Sequence, residues 1–391
     1  MRNYKVKIDQ SQQDSQTAAQ VKTVHNQDNI EITTEKPSDP NYRSGKNTLY
    51  LEPKKGDTFD KCATFGKDYV CCNVHVLKSV KNCPYDCSYC FLQNYLNNGT
   101  LSTVSDIDAM IQEVKTKTKE QPWRFFRIGT WELGDSLALE HMTHQAKQLI
   151  EAFSELPNAQ LELRTKSDNV DPILDCDHKQ RTVVAWSMNP KEIIESQEHR
   201  TASLEKRLEA IKKVVDKGYL TAFHFDPMIH YDDWEAGYSD VLDKIFQIVP
   251  PEQITWISIG SLRFNPEMKQ KMQANFPKTA LKQPEMILGP DKKMRYIKPI
   301  RKKMYTHFIS QLKKHLKLDD ISPTTEITAK KPLVYFCMER WDIWDDCLGG
   351  HPTSAGHLDY IFTKFLEKRY PGLVHHSPNL DQYISEQYSN I

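Results

Sequence analysis

No run in this sequence approaches the ~18 consecutive apolar residues that a membrane-spanning helix requires. The opening stretch, MRNYKVKIDQSQQDSQTAAQ, has no apolar core of the kind that marks a secretory signal. A cytoplasmic protein with no membrane partner is therefore expected. Neither charge sign is in excess: Lys plus Arg and Asp plus Glu number 52 each, so global electrostatics predict no polyanionic partner. Glycine is scarce, at 14 of 391 residues, and no GxGxxG follows an early strand, which argues against a dinucleotide-binding sheet. Nine cysteines are too few and too unevenly spread for a disulfide framework.

What the chain does have is a concentration of thiols. Cys62, Cys71, Cys72, Cys83, Cys87 and Cys90 fall within 29 residues, and in a reducing compartment such clustering reads as metal or redox chemistry. The stretch KNCPYDCSYCFLQNYL (81–96) separates Cys83, Cys87 and Cys90 by three and then two residues, with no fourth cysteine close behind. A structural zinc site closes its tetrahedron with four ligands, whereas a catalytic metal keeps one position open. Each iron of a cubane cluster takes one external ligand, so three cysteines leave one iron for an exogenous chelate. The alternative is a structural zinc completed by Cys71, Cys72 or His75, although zinc knuckles favour paired CxxC units.

Residues 1 to about 45 are rich in Gln, Asn, Asp, Ser and Thr, a composition that reads as a disordered tail. From about Tyr50, near-continuous apolar runs alternate with helix-period segments. The runs are NVHVLKSV (73–80), FFRIGT (125–130), LELRTK (161–166), TVVAWSMN (182–189), LTAFHFDP (220–227) and ITWISIG (254–260). Between them lie SDIDAMIQEVKTK, SLALEHMTHQAKQLIEAF, SLEKRLEAIKKVVDK and DDWEAGYSDVLDKIFQIV. The alternation predicts an α/β fold, a partial (β/α)6 TIM-type barrel over 46–265 with the cluster loop at 83–90. A doubly wound sheet is the structural alternative. Residues 266–391 are expected to form a C-terminal extension packed on the barrel.

CxxxCxxC with an aromatic, Tyr89, before its last cysteine, opening the first loop of a βα series, resembles the radical S-adenosylmethionine superfamily. The phrases CSYCFLQ, RIGTWELGDSLALEHMTH, LRTKSDNVD, WSMNP, TASLEKRLEAIKKVVDKGY, PMIHYDDWEAGY, IGSLRF and YFCME, spread over about residues 60–345, resemble the spore photoproduct lyase family of DNA repair enzymes. The resemblance implies a 4Fe–4S cluster on Cys83, Cys87 and Cys90. Its free iron would be chelated by S-adenosylmethionine, which one electron cleaves to methionine and a 5′-deoxyadenosyl radical. It further implies a DNA substrate with a thymine-dimer photoproduct and a reducing partner such as a flavodoxin or ferredoxin.

By the same resemblance Glu132, in GTWE after the second strand, meets the methionine ammonium; Trp131 stands where the motif usually has a glycine. Lys166 resembles a position that meets the methionine carboxylate, and Ser187 and Asn189 suit ribose hydroxyls. The competing readings are a helix-start carboxylate for Glu132 and a solvated strand end for Lys166. His224, Asp226 and His230 surround the end of the fifth strand as pocket lining or as satisfied supporting groups. No second metal site is expected.

The sequence departs from the family pattern twice. The loop after strand two, TWELGDS, lacks the cysteine that returns hydrogen to the product, and Phe91 replaces the tyrosine that follows the last cluster cysteine. Another thiol is then expected to act, Cys71 or Cys72 ahead of Cys337, with Tyr89 as a further catalytic candidate. Alternatively the substrate is an RNA base or a peptide, or the chain is a non-catalytic metal-bearing nucleic-acid-binding module. Independent support for nucleic acid comes from residues 292–317, where ten Lys and Arg residues and no acid are interleaved with Tyr296, Tyr305 and Phe308. A solvated helix face neutralised by neighbouring acids is the competing reading.

Overall fold

The computed structural model describes residues 4–62, 69–279, 281, 286–325 and 331–385. Its main sheet has eight strands. Seven run parallel in chain order: His75–Leu77, Phe126–Gly129, Ala159–Thr165, Thr182–Ser187, Leu220–Met228, Ile254–Ser261 and Leu333–Phe336. The eighth, Phe59–Lys61, pairs antiparallel with the first and forms the other edge. The curled sheet is a partial TIM-type barrel, as the strand–helix alternation predicts.

Six of the seven parallel strands coincide with the predicted runs. The seventh corrects the domain boundary, because Leu333–Phe336 lies in the segment expected to be an extension. Its four buried residues are too few for periodicity to distinguish a strand from a helical turn. It is also separated from its neighbour by the long helix Lys298–Leu316.

The disordered tail is also corrected. Lys5–Asp9 pairs in parallel with both Ile30–Thr33 and Thr48–Glu52, and Leu101–Val104 and Val80–Lys81 extend this second sheet to five strands. Gln16–Val24 is a helix whose first turn is capped by Ser15 Oγ, which accepts the Ala18 N–H at 3.2 Å. Val6, Ile8, Ala18 and Val21 are buried against Leu49, Leu51 and Leu101. Composition hid this because the few apolar residues are correctly spaced while their packing partners lie outside the polar window.

Local signals explain the barrel helices. Ile107–Glu120 starts at Asp106, whose carboxylate accepts from Ala109 N, and buries Ile107, Met110 and Val114. Leu204–Asp216 starts at Ser203 and ends before Gly218, which has φ +78°. The stretch SLALEHMTHQAKQLIEAF forms two helices, Glu140–Thr143 and Gln145–Phe153, broken at left-handed His144. Glu140 holds the break, its carboxylate accepting the N–H groups of Ala146 (2.8 Å) and Lys147 (3.0 Å).

The basic stretch is a further correction. Tyr296, Tyr305 and Phe308 are fully buried, so none is available to stack on a base. Lys298 pairs with Asp342 and Asp346, Lys302 with Asp346, Lys303 with Glu235, and buried Arg295 with Asp291. The first turns of the helix Lys298–Leu316 are thus neutralised, and with these aromatics enclosed the stretch offers no platform for stacking bases.

Candidate active site

The loop after the first strand is held from both sides. Asp86–Cys87 pairs antiparallel with Glu198–His199, and the Ser88 N–H donates to Gln197 O at 2.8 Å. Opposite, the buried Lys46 ammonium donates to Asp86 Oδ1 (3.0 Å) and Tyr85 O (2.5 Å), while Arg200 Nε reaches Asp86 Oδ2 at 3.2 Å. Asn82, left-handed at φ 68°, turns the chain into the loop; its side chain accepts the Cys83 N–H and donates to Gly99 O.

Cys83, Cys87 and Cys90 are free thiols. Burial pushes the Cys83 thiol well up and that of Cys87 to about 12. The buried hydroxyl of Tyr42 lies within the field of all three, and burial followed by those thiols raises it strongly. Three soft donors on one short loop suit an iron–sulfur cluster, which replaces their protons with metal. Among the described residues no three His, Cys, Asp or Glu side chains gather around a single-ion point. In a cubane each thiolate meets a different iron.

The strand ends bring two of the other expected residues, Lys166 and Asn189, to this loop. Lys166 extends over the Tyr89 ring, 5.8 Å from its centroid, and its charge acts on Cys87 and Glu198. Its backbone N–H is held by Asp135 Oδ2 at 2.8 Å, while Asp135 Oδ1 accepts from Thr165 Oγ1 and the N–H groups of Leu137 and Ala138. Ser187 Oγ accepts from Arg164 Nε (2.9 Å), and Arg164 also donates to Asp226 O (2.7 Å). Asn189 is buried with both ends of its amide engaged: Nδ2 donates to Glu198 (2.9 Å) and Oδ1 accepts from Tyr238 (2.8 Å). The Tyr89 hydroxyl likewise donates to Glu198. Glu132 stands apart; burial raises its carboxyl, and the neighbouring charges are Lys78 and Asp60 at the antiparallel edge.

Glu198 ties these groups together. It receives Tyr89, Asn189 and Arg207 (2.6 Å), and it and Arg207 are fully enclosed. Burial opposes its charge, but Arg207 and Lys166 outweigh that and hold the carboxyl down at about 2. The depressed value means that this stabilisation is complete above the unfolded pKa of about 4.3 and disappears as pH falls through the folded value. Glu198→Gln is therefore expected to cost about 3–5 kcal/mol at neutral pH in urea unfolding, by leaving Arg207 buried without its counter-charge. The difference from the parent should narrow as pH falls from about 4.3 toward 2.

Inside the barrel, His224 Nε2 meets Glu162 Oε1 at 2.6 Å in a buried pair, so His224 supports the wall. His230 packs beside Trp234 and Tyr296. Asp226 grips Arg263 through two bonds (2.7 and 3.1 Å), and the Arg263 guanidinium lies 3.6 Å from the sulfur of Cys337, just beyond the seventh strand. Burial and then Asp226 raise the Cys337 thiol, and the buried thiols of Cys72 and Cys71 add to that shift. The three candidate hydrogen-donor thiols thus share one region of the sheet.

Sequence reasoning missed Lys46, Asp135, Arg164, Glu198 and Arg263. Only Arg164 carried a usable signal, since it shares a strand face with the glutamate two residues earlier, near Lys166. The others act through loops or distant segments.

A partial barrel with a three-cysteine loop at the carboxyl ends of its strands defines the class: a radical S-adenosylmethionine enzyme. The spore photoproduct lyase family model matches residues 3–336, and the chain belongs to that family. It is 28% identical over 244 residues to spore photoproduct lyase of Bacillus subtilis (strain 168), covering 61% of this chain and 69% of the relative. With the enzyme of the same name from Geobacillus sp. (strain Y412MC61) it shares 26% over 246 residues, covering 61% and 69%. A solved spore photoproduct lyase variant with bound AdoMet and dinucleoside spore photoproduct superposes with a TM-score of 0.72 at 20% identity, over 85% of this chain and 98% of that one. This likeness establishes the shared fold. The cofactors of the class are a 4Fe–4S cluster and S-adenosylmethionine. Among the described residues no helix is long and apolar enough to cross a membrane.

Proposed function

We propose that this chain repairs a methylene-bridged thymine photoproduct in DNA by hydrogen abstraction and return. The observation that carries the reading is the three-thiol loop at the mouth of the partial barrel, in a chain matched to the family along most of its length. When bound, the reduced cluster and S-adenosylmethionine supply the radical that starts the reaction. The chain's own residues bind and orient. Cys83, Cys87 and Cys90 hold the irons. Lys166, fixed by Asp135 beside Tyr89, receives the methionine carboxylate. Ser187, with its oxygen engaged by Arg164, still has its O–H to donate to ribose. Asn189 and Tyr89 act by positioning through Glu198.

Glu132 is the proposed partner of the methionine ammonium. Glu132→Gln is expected to weaken S-adenosylmethionine binding about tenfold in equilibrium dialysis, with iron content unchanged. Unchanged affinity would assign it to the sheet edge with Lys78 and Asp60.

Hydrogen return falls to a thiol outside the usual loop. What supports Cys337 over Cys71 and Cys72 is its strand-end position beside Arg263 and Asp226, whereas the other two are buried ahead of the first parallel strand. A low-potential one-electron carrier, a flavodoxin or ferredoxin, supplies the reducing equivalent. The substrate test offers irradiated DNA and an RNA pool to the reduced holoenzyme. Product and 5′-deoxyadenosine formed with DNA alone are expected; formation with RNA alone would move the assignment to base modification.

A further inference from the structure

We infer that Trp131 is a specificity-determining residue that receives a carbonyl-bearing pyrimidine of the substrate; this rests on the DNA-repair reading above. Trp131 stands where the superfamily motif usually has a glycine, and the structure accommodates it by an exchange of space. Gly129, two residues earlier, faces the same side of the strand, and a β-carbon there would lie 2.3 Å from the indole Nε1. The indole therefore packs directly over the glycine backbone at the end of the second strand. The Arg164 guanidinium lies 5.2 Å from the indole ring centroid and is itself fixed by Ser187 and the Asp226 carbonyl. The His224 ring lies 6.4 Å away. The plane of the indole is thus set before any ligand arrives.

Its N–H is buried and has no acceptor among the described residues. Trp256 and Trp344 share that property, but both are fully enclosed in the core. Trp131 is only partly buried, and it borders Arg164, the partner of the proposed ribose-binding Ser187. A buried donor without an acceptor favours a ligand that brings one. An indole N–H donates and does not accept, so it favours a ligand that presents an acceptor, as the ring carbonyls on the edge of each thymine of the photoproduct do. The ring nitrogens of adenine also accept, so substrate and cofactor are offered as separate probes.

The test uses the reconstituted full-length chain, with dinucleoside spore photoproduct and S-adenosylmethionine as separate probes in equilibrium dialysis. Trp131→Phe keeps an aromatic ring and removes only the donor. It is expected to weaken dinucleoside binding about tenfold and leave S-adenosylmethionine affinity unchanged, with iron content confirming an intact cluster. Gly129→Ala, which displaces the indole without removing it, should give the same selective loss. Unchanged dinucleoside affinity in Trp131→Phe overturns the inference, as does a loss confined to S-adenosylmethionine. If the parent chain itself does not bind the dinucleoside, the DNA-repair reading fails, and this inference with it.

Discussion

Cys87→Ala is expected to yield a folded, colourless protein, with iron after anaerobic reconstitution falling from about four atoms per chain to near zero. The physical reason is ligand number. With one iron already lacking a protein ligand, loss of a thiolate leaves two anchors for four metals. The loop itself should persist, because its backbone is held by pairing with Glu198–His199, and its flank by the Lys46–Asp86–Arg200 contacts. Cys83→Ala and Cys90→Ala should behave alike. Cys62→Ala and Cys176→Ala should keep their iron, since neither thiol lies in the loop. Full iron content in Cys87→Ala would falsify the assignment of the cluster to these three residues.

The second large effect concerns the fate of the product radical. In Cys337→Ala, S-adenosylmethionine cleavage should continue while repaired product falls at least tenfold and adducts accumulate, as resolved by liquid chromatography and mass spectrometry. The weak S–H bond lets a thiol give up a hydrogen atom without a proton relay. Cys337 is the candidate thiol directly beyond a barrel strand, with Arg263 and Asp226 fixing its neighbourhood. Burial pushes its thiol well up, so it remains protonated and keeps the hydrogen it must donate. Normal product yield in Cys337→Ala and in both Cys71→Ala and Cys72→Ala would exclude a thiol from this group.

Much of the barrel was legible because its strands are continuous apolar runs flanked by capped helices, as with Asp106 and Ser203. The three-cysteine loop was legible because its spacing is local. What failed depended on distant partners. Val6 and Ile8 look isolated in a polar segment until Leu49 and Leu101 are brought beside them. Tyr296 and Tyr305 look available for stacking until the helix Lys298–Leu316 is packed, with both rings buried and Lys298 and Lys302 paired with Asp342 and Asp346. Glu198 has no motif around it. Its role exists only because residues from the cluster loop, the fourth strand's end and a following helix meet on one carboxylate.

The most direct test is turnover. The anaerobically reconstituted, chemically reduced chain is given S-adenosylmethionine and dinucleoside spore photoproduct, and both products are quantified by chromatography. The account predicts release of the repaired thymine dinucleotide, dependent on S-adenosylmethionine and absent in Cys87→Ala. A protein that binds its cluster and cleaves S-adenosylmethionine yet leaves the photoproduct unchanged would contradict it.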